Sequence, residues 1–207
     1  MTDDLELLLR AAARRIPDAP LPSLDDAATT AGLLDVAYAT FDSPVGALLL
    51  AGTSRGLVRI AYLDDGVEAP LRELALRVSP RVIASPRRLD EPRRELEQYF
   101  AGRRHEFDLA IDWQLTRGFG RRVLEATARI PFGAVSTYGR VAAAAGSPRG
   151  SRATGNALGA NPLPIVVPCH RVVRTGGALG GYTGGLERKR RLLAVEGAVQ
   201  WSERGGA

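Results

Sequence analysis

From Val36 onward, apolar and polar positions alternate in short runs broken by turn residues. Val36 to Phe41, Gly46 to Ala51 and Leu57 to Tyr62 are separated by Asp42-Ser43-Pro44 and by Thr53-Ser54-Arg55-Gly56, a pattern that predicts a three-stranded antiparallel meander. The period then lengthens. Apolar positions at helical spacing predict helices near 67 to 78 and 90 to 101 around a short strand at Arg81 to Ala84, with Asp90 as the second helix's cap and Pro92 near its first turn. Upstream, Leu5, Leu8, Leu9 and Ala12 share a face of a helix expected over residues 2 to 16, which Pro17, Pro20 and Pro22 end.

The second half reads as mostly helical. Thr116 is placed to cap a helix running to Ile130, in which Phe119, Val123, Ala126 and Ile130 share a face before Pro131-Phe132-Gly133 stops it. Ser136 or Thr137 starts a short helix from Tyr138 to Ala145, closed by Gly146, and a further helix fits residues 150 to 160. Two short helices joined by a glycine-containing turn make a helix-turn-helix candidate. A last helix is predicted from Leu186 to Val195, with Glu196 at its end and Gly197 as its cap. The fold class is therefore α+β: an N-terminal α/β domain with a small antiparallel sheet, then a mostly helical C-terminal domain. Expected boundaries are an extension or linker at 1–34, a scaffold domain at 35–114 and a third region at 115–207.

Charge sharpens this division. Residues 1 to 114 carry 14 basic and 19 acidic side chains, whereas residues 115 to 207 carry 14 basic and 4 acidic, a swing from −5 to +10. Such a face attracts polyanions, since counterion release rewards each cation that meets a phosphate, although a basic surface kept for solubility would look alike. No run reaches the roughly 18 apolar residues of a membrane span, and the acidic N-terminus is unlike a signal peptide, so the expectation is a cytoplasmic protein without a membrane partner. Cys169 is the sole cysteine, beside only His105 and His170, which excludes an internal disulfide and a zinc cluster of Cys and His ligands.

Two segments hold candidate chemistry. In the second helix of the pair, Gly150, Ser151, Ala153, Thr154, Gly155, Ala157, Gly159 and Ala160 surround a protruding Arg152. Small side chains let a backbone approach nucleic acid and a long cation can fill the gap left by an extruded base; helix packing would explain the small residues equally well. The segment Asn161-Pro162-Leu163-Pro164-Ile165-Val166-Val167-Pro168-Cys169-His170-Arg171-Val172 delivers the cysteine beside an imidazole and a guanidinium. A nucleophilic cysteine must become a thiolate, and His170, Arg171 and a helical turn opened by Pro168 are all expected to lower its pKa. An orienting acid for His170 must come from the few carboxylates after residue 113. Glu196 is the choice, because a carboxylate opposing a helix dipole is disfavoured unless partnered; the alternative is an exposed helix-end glutamate. The loop from Thr175 to Gly185 is too glycine-rich for a packed element and offers backbone amides, with Tyr182 and Thr183 as its polar side chains.

Pro168-Cys169-His170-Arg171-Val172, preceded by Asn161-Pro162 and followed by Gly180-Gly181-Tyr182, Lys189 and Glu196-Gly197, resembles the O6-alkylguanine-DNA alkyltransferases. The likeness continues backward through Arg152-Ala153-Thr154-Gly155, Thr137-Tyr138-Gly139 and Ile130-Pro131-Phe132-Gly133. It implies a stoichiometric repair protein, without cofactor or metal and monomeric in solution, that binds double-stranded DNA containing O6-alkylguanine from the minor groove. By resemblance, Arg152 replaces the flipped nucleotide, with Ala153 and Gly155 beside it on the recognition helix. Cys169 attacks the alkyl carbon, His170 deprotonates it through a bound water, Glu196 orients His170 and Tyr138 supplies a proton to the leaving base. The Thr183 amide and the Val172 carbonyl hydrogen-bond the guanine, next to Tyr182. Asn161 is the hinge between recognition helix and cysteine turn, and Lys189 supports the loop. Thr154 stands where valine is common and Leu124 where an aromatic residue is. A non-enzymatic helix-turn-helix damage sensor is the runner-up reading, and a Cys-His hydrolase the third.

Overall fold

Strands β1 (Val36–Ser43), β2 (Gly46–Thr53) and β3 (Gly56–Tyr62) pair antiparallel in chain order. Gly56 allows the second turn to close: its φ is +129° and a Cβ there would collide with the Ala110 carbonyl. All of Leu48, Leu49, Leu50 and Ala51 in β2 are buried, because both faces of the sheet are covered. Leu48 and Leu50 join one hydrophobic cluster, while Leu49 and Ala51 join a second with Leu74 of helix α1 (Glu68–Arg77). That helix extends the sheet beyond the expected meander and makes it mixed rather than wholly antiparallel. It carries the chain back across the sheet, so β4 (Val82–Ala84) adds beside β1 in parallel, Val36 opposite Val82, and the sheet has four strands in the order β3-β2-β1-β4. Helix α2 (Asp90–Phe100) follows; Asp90 lies inside its first turn and pairs with Arg93 at 3.3 Å rather than capping it.

The structure is a computed structural model describing Ala27 and residues 30–198, of which 34–198 form one compact unit. The helix expected at 2 to 16 lies outside the described residues. Helix α3 spans Gly118–Ala128. Thr116 does not cap it, because its hydroxyl turns back to donate to the Trp113 carbonyl at 3.0 Å. Strand β5 (Ser136–Thr137) runs directly into helix α4 (Tyr138–Ala144), where the Thr137 hydroxyl accepts from the Arg140 amide at 3.3 Å. Gly146, at φ +80°, ends this helix in the left-handed geometry that lets Ser147 and Gly146 amides reach back to the Ala142 and Ala143 carbonyls. Helix α5 (Ser151–Gly159) completes the helix-turn-helix.

Beyond it, a 3₁₀ turn at Cys169–Arg171 leads into β6 (Val172–Val173), which pairs parallel with β5, and helix α6 (Leu186–Val195) closes the described chain. The β5–β6 pairing matters because it brings the start of α4 beside the cysteine turn. A single cluster joins Leu48, Leu50, Ile60 and Tyr99 of the sheet half to Leu124, Leu163, Val167 and Leu192 of the helical half. The Ile60 amide donates to the Pro162 carbonyl at 2.8 Å, so the edge of the sheet grips the segment that carries the cysteine. Among the described residues no helix is long and apolar enough to cross a membrane, and no group of His, Cys, Asp or Glu could hold a metal ion.

Candidate active site

The segment before Cys169 is held under strain. Ile165 has φ +77°, a left-handed conformation that a β-branched residue rarely adopts, and it persists here because its side chain is fully buried and its neighbours are tied down. Asn161 does much of the tying: its amide donates to the Val167 carbonyl at 2.8 Å and to the Cys169 Sγ at 3.1 Å, and its carbonyl accepts from the Leu163 amide at 3.0 Å. Pro168 then opens the 3₁₀ turn, so that Cys169 and His170 do not point to opposite faces as they would in a strand.

Glu196 sits at the C-cap of α6, and Gly197 (φ +62°) turns the chain so that the carboxylate points inward. It is not an exposed helix-end residue. Oε1 accepts from Tyr99 Oη at 2.7 Å and Arg171 Nη2 at 2.9 Å and lies 2.7 Å from His170 Nε2; Oε2 accepts from Arg171 Nε at 2.8 Å and the Gly133 amide at 3.3 Å. Burial alone would raise its pKa, but the His170 and Arg171 hydrogen bonds outweigh that and hold the carboxyl at about 2. His170 is fully buried, and desolvation lowers its pKa in spite of Glu196. A neutral imidazole facing a carboxylate carries its proton on Nε2, which leaves Nδ1 an acceptor; Nδ1 is buried and has no protein partner.

One expectation is corrected here. Burial pushes the Cys169 thiol above its usual pKa, against weaker lowering by the Asn161 hydrogen bond and the Lys189 charge. Arg171 does not ionise the sulfur, because its guanidinium is committed to Glu196 and to the Ile130 carbonyl at 2.5 Å. Burial therefore favours the protonated thiol over the thiolate.

In front of the sulfur lies a cavity of about 630 Å³, lined by Tyr138, Arg152, Gly155, Cys169, Tyr182 and Thr183 among others. Arg152 is exposed and makes no hydrogen bond or ion pair with the described residues, whereas Ala153 faces outward beside it and is not part of the lining. Tyr138 Oη donates to the Gly181 carbonyl at 3.5 Å, and burial raises its phenol pKa. Thr183 Oγ1 donates to the Gly159 carbonyl at 2.7 Å, joining the glycine loop to the end of α5. Lys189 is wholly buried behind that loop: its ammonium donates to the carbonyls of Val172 at 2.6 Å, Leu179, and Gly181 at 3.3 Å, and desolvation pushes its pKa down to about 8. Val172 is fully buried and off the cavity wall. Residues that sequence reasoning missed come from the half read as scaffold: Tyr99 on the carboxylate, and Tyr62, whose hydroxyl lies 2.7 Å from that of Tyr182. No local pattern points to either.

Two domain families match this chain in succession: the 6-O-methylguanine DNA methyltransferase ribonuclease-like domain over residues 36–113, and the DNA binding domain of the same enzymes over 118–198. The chain belongs to the 6-O-methylguanine DNA methyltransferase family. A methylated-DNA–protein-cysteine methyltransferase of Mycolicibacterium paratuberculosis is 42% identical over 161 residues, covering 78% of this chain and 92% of that one. Its counterpart in Methanosarcina acetivorans is 38% identical, covering 78% and 98%. The crystal structure of Mycobacterium tuberculosis O6-methylguanine methyltransferase superposes with a TM-score of 0.67 at 40% identity, covering 79% of this chain and 93% of that one. Mycobacterium tuberculosis OGT in complex with DNA gives 0.67 at 37% identity, covering 81% and 96%.

Proposed function

We propose that this protein is a single-use DNA repair alkyltransferase, which moves an alkyl group from O6 of guanine to Cys169. The observation that carries the reading is the juxtaposition of a buried thiol, a neutral imidazole with a free Nδ1 and a five-times-bonded carboxylate, behind a cavity with Arg152 at its rim. About 630 Å³ suits a single everted base, and ligand sites commonly fall in this range.

The helix-turn-helix lies along the minor groove, its small residues Ala153 and Gly155 letting the backbone of α5 come close while Arg152 occupies the space vacated by the base. Binding weakens as salt rises, because the basic half displaces counterions. The protein acts as a monomer. With the base seated between Tyr138 and the loop of Tyr182 and Thr183, His170 Nδ1 takes the thiol proton through a bridging water. Glu196, already ionised, stabilises the imidazolium that results. The S–C bond forms as the C–O6 bond breaks, and the proton surrendered by the thiol ends on the base by way of Tyr138, so the transfer balances without a cofactor. Asn161, bonded to both the sulfur and the strained segment, is the joint between α5 and the nucleophile, and Lys189 fixes the carbonyl of Val172 and the loop around the base. A thioether offers no ready leaving path, so each molecule acts once.

Cys169→Ala separates chemistry from binding. The expected outcome is duplex affinity near that of the wild type, measured by fluorescence anisotropy, with no loss of O6-methylguanine from the duplex. Repair by this variant would overturn the assignment.

A further inference from the structure

Cys169 also lines a second cavity. It encloses about 330 Å³ on the side of the sheet, with Tyr62, Ala69, Pro70, Asn161, Pro164 and Tyr182 among its walls. Tyr182 and Thr183 line both cavities, so the loop that carries them is a partition between two spaces that meet at the sulfur. A methyl group on O6 needs no room beyond the sulfur. A larger substituent projects sideways from the line joining O6 and the sulfur, into the space that this partition bounds.

The partition is held from the sheet by one side chain. Tyr62, the last residue of β3, places its hydroxyl 2.7 Å from the Tyr182 hydroxyl, and the two rings meet edge to face with centroids 6.3 Å apart. Tyr62 is itself fixed on two sides. The Arg188 guanidinium lies over its ring at 4.3 Å; that guanidinium is anchored by the Asp64 carboxylate at 2.6 and 2.5 Å, by the Val45 carbonyl at 2.6 Å and by the Gly184 carbonyl at 3.1 Å. The loop backbone presses on the ring so closely that a Cβ at Gly184 would collide with it. Tyr182 therefore cannot swing into either cavity without breaking the phenol pair.

We infer that Tyr62 is a positioning and specificity-determining residue: by pinning Tyr182 it limits the size of the O6 substituent that the space around Cys169 accepts. The inference rests on the alkyl-transfer reading above. Tyr62→Phe keeps the ring, its cation–π contact and its packing, and removes only the hydroxyl that holds the wall.

The test is competition between duplexes carrying O6-methylguanine and O6-benzylguanine, using the full chain. In Tyr62→Phe the ratio of benzyl to methyl transfer rates rises by about three- to tenfold, the effect of losing one hydrogen bond. Tyr182→Phe gives a similar rise, and the double variant no more than either single one, because all three remove the same bond. A residue that merely supports the fold would slow both substrates alike; an unchanged ratio overturns the inference. Amide hydrogen exchange at residues 179–185 of the DNA-free proteins is the second measurement. Faster exchange in Tyr62→Phe supports the clamp, and unchanged exchange contradicts it, whether or not alkyl transfer occurs. Failure of the wild-type chain to take either alkyl group would instead contradict the reading on which the inference rests.

Discussion

The two sides of Cys169 are built on opposite plans. Behind the sulfur, five hydrogen bonds from Tyr99, His170, Arg171 and Gly133 converge on the buried Glu196. In front, a loop rich in glycine stands at the cavity mouth, attached by separate bonds through Lys189, Thr183, Tyr138 and Tyr62. The difference separates two tasks. Charge that develops during a reaction is best met by dipoles that need not move, whereas a base that must enter and leave needs a wall that can.

Breaking the rear side should have the largest effect. Glu196→Gln leaves Arg171 buried without its anion, and loss of one partner of a buried pair costs about 3–5 kcal/mol, to be read from urea unfolding. The same carboxylate sets a pH window. Its pKa is about 2 in the folded chain against an ordinary 4.5, so its stabilising contribution is complete above about 4.5 and disappears as pH falls towards 2. His170, also lowered from 6.5, adds to the loss in the same direction, because the unfolded chain takes up the proton first. Acid titration of stability should therefore show a decline that begins below pH 6.5 in the wild type and is shallower between 4.5 and 2 in Glu196→Gln.

On the front, the expected effects are smaller and kinetic. Arg152→Ala should slow repair of duplex O6-methylguanine by about 1–3 kcal/mol in barrier, the scale of lost stacking contacts, while leaving the melting temperature unchanged because Arg152 is exposed and makes no hydrogen bond or ion pair with the described residues. Rapid-quench kinetics on the duplex measures it, and unaltered repair would remove Arg152 from base eversion. The smallest effect concerns neither side directly. Thr154 is fully buried in α5 and its hydroxyl has no partner, so Thr154→Val should raise stability by about 1 kcal/mol with repair unchanged, seen as a higher urea midpoint.

What the sequence revealed and what it hid follow from the range of the interactions. Helix α6 matches its predicted limits, and Gly146 and Gly197 close their helices as expected, because caps and periodicity are local. Cys169, His170 and Glu196 were legible too, since the chain has so few sulfurs, imidazoles and late carboxylates that scarcity did the selecting. Tyr99 reaches Glu196 across 97 positions and Tyr62 reaches Tyr182 across 120, and neither carries a mark in its surroundings. The direction of the thiol pKa was misread for a related reason. Neighbours in sequence suggested stabilising charges, but the balance is set by burial, which depends on everything packed around the turn. Asp90 and Thr116 show that a capping residue type near a helix start does not ensure capping geometry.

The central claim is that Cys169 is the alkyl acceptor. Incubating the full-length protein with a duplex containing one O6-methylguanine, followed by proteolysis and mass spectrometry, should find a single methyl group on the peptide bearing Cys169, one per protein molecule, with guanine restored in the DNA. An unmodified Cys169 peptide after repair, or more than one lesion cleared per molecule, would contradict the account.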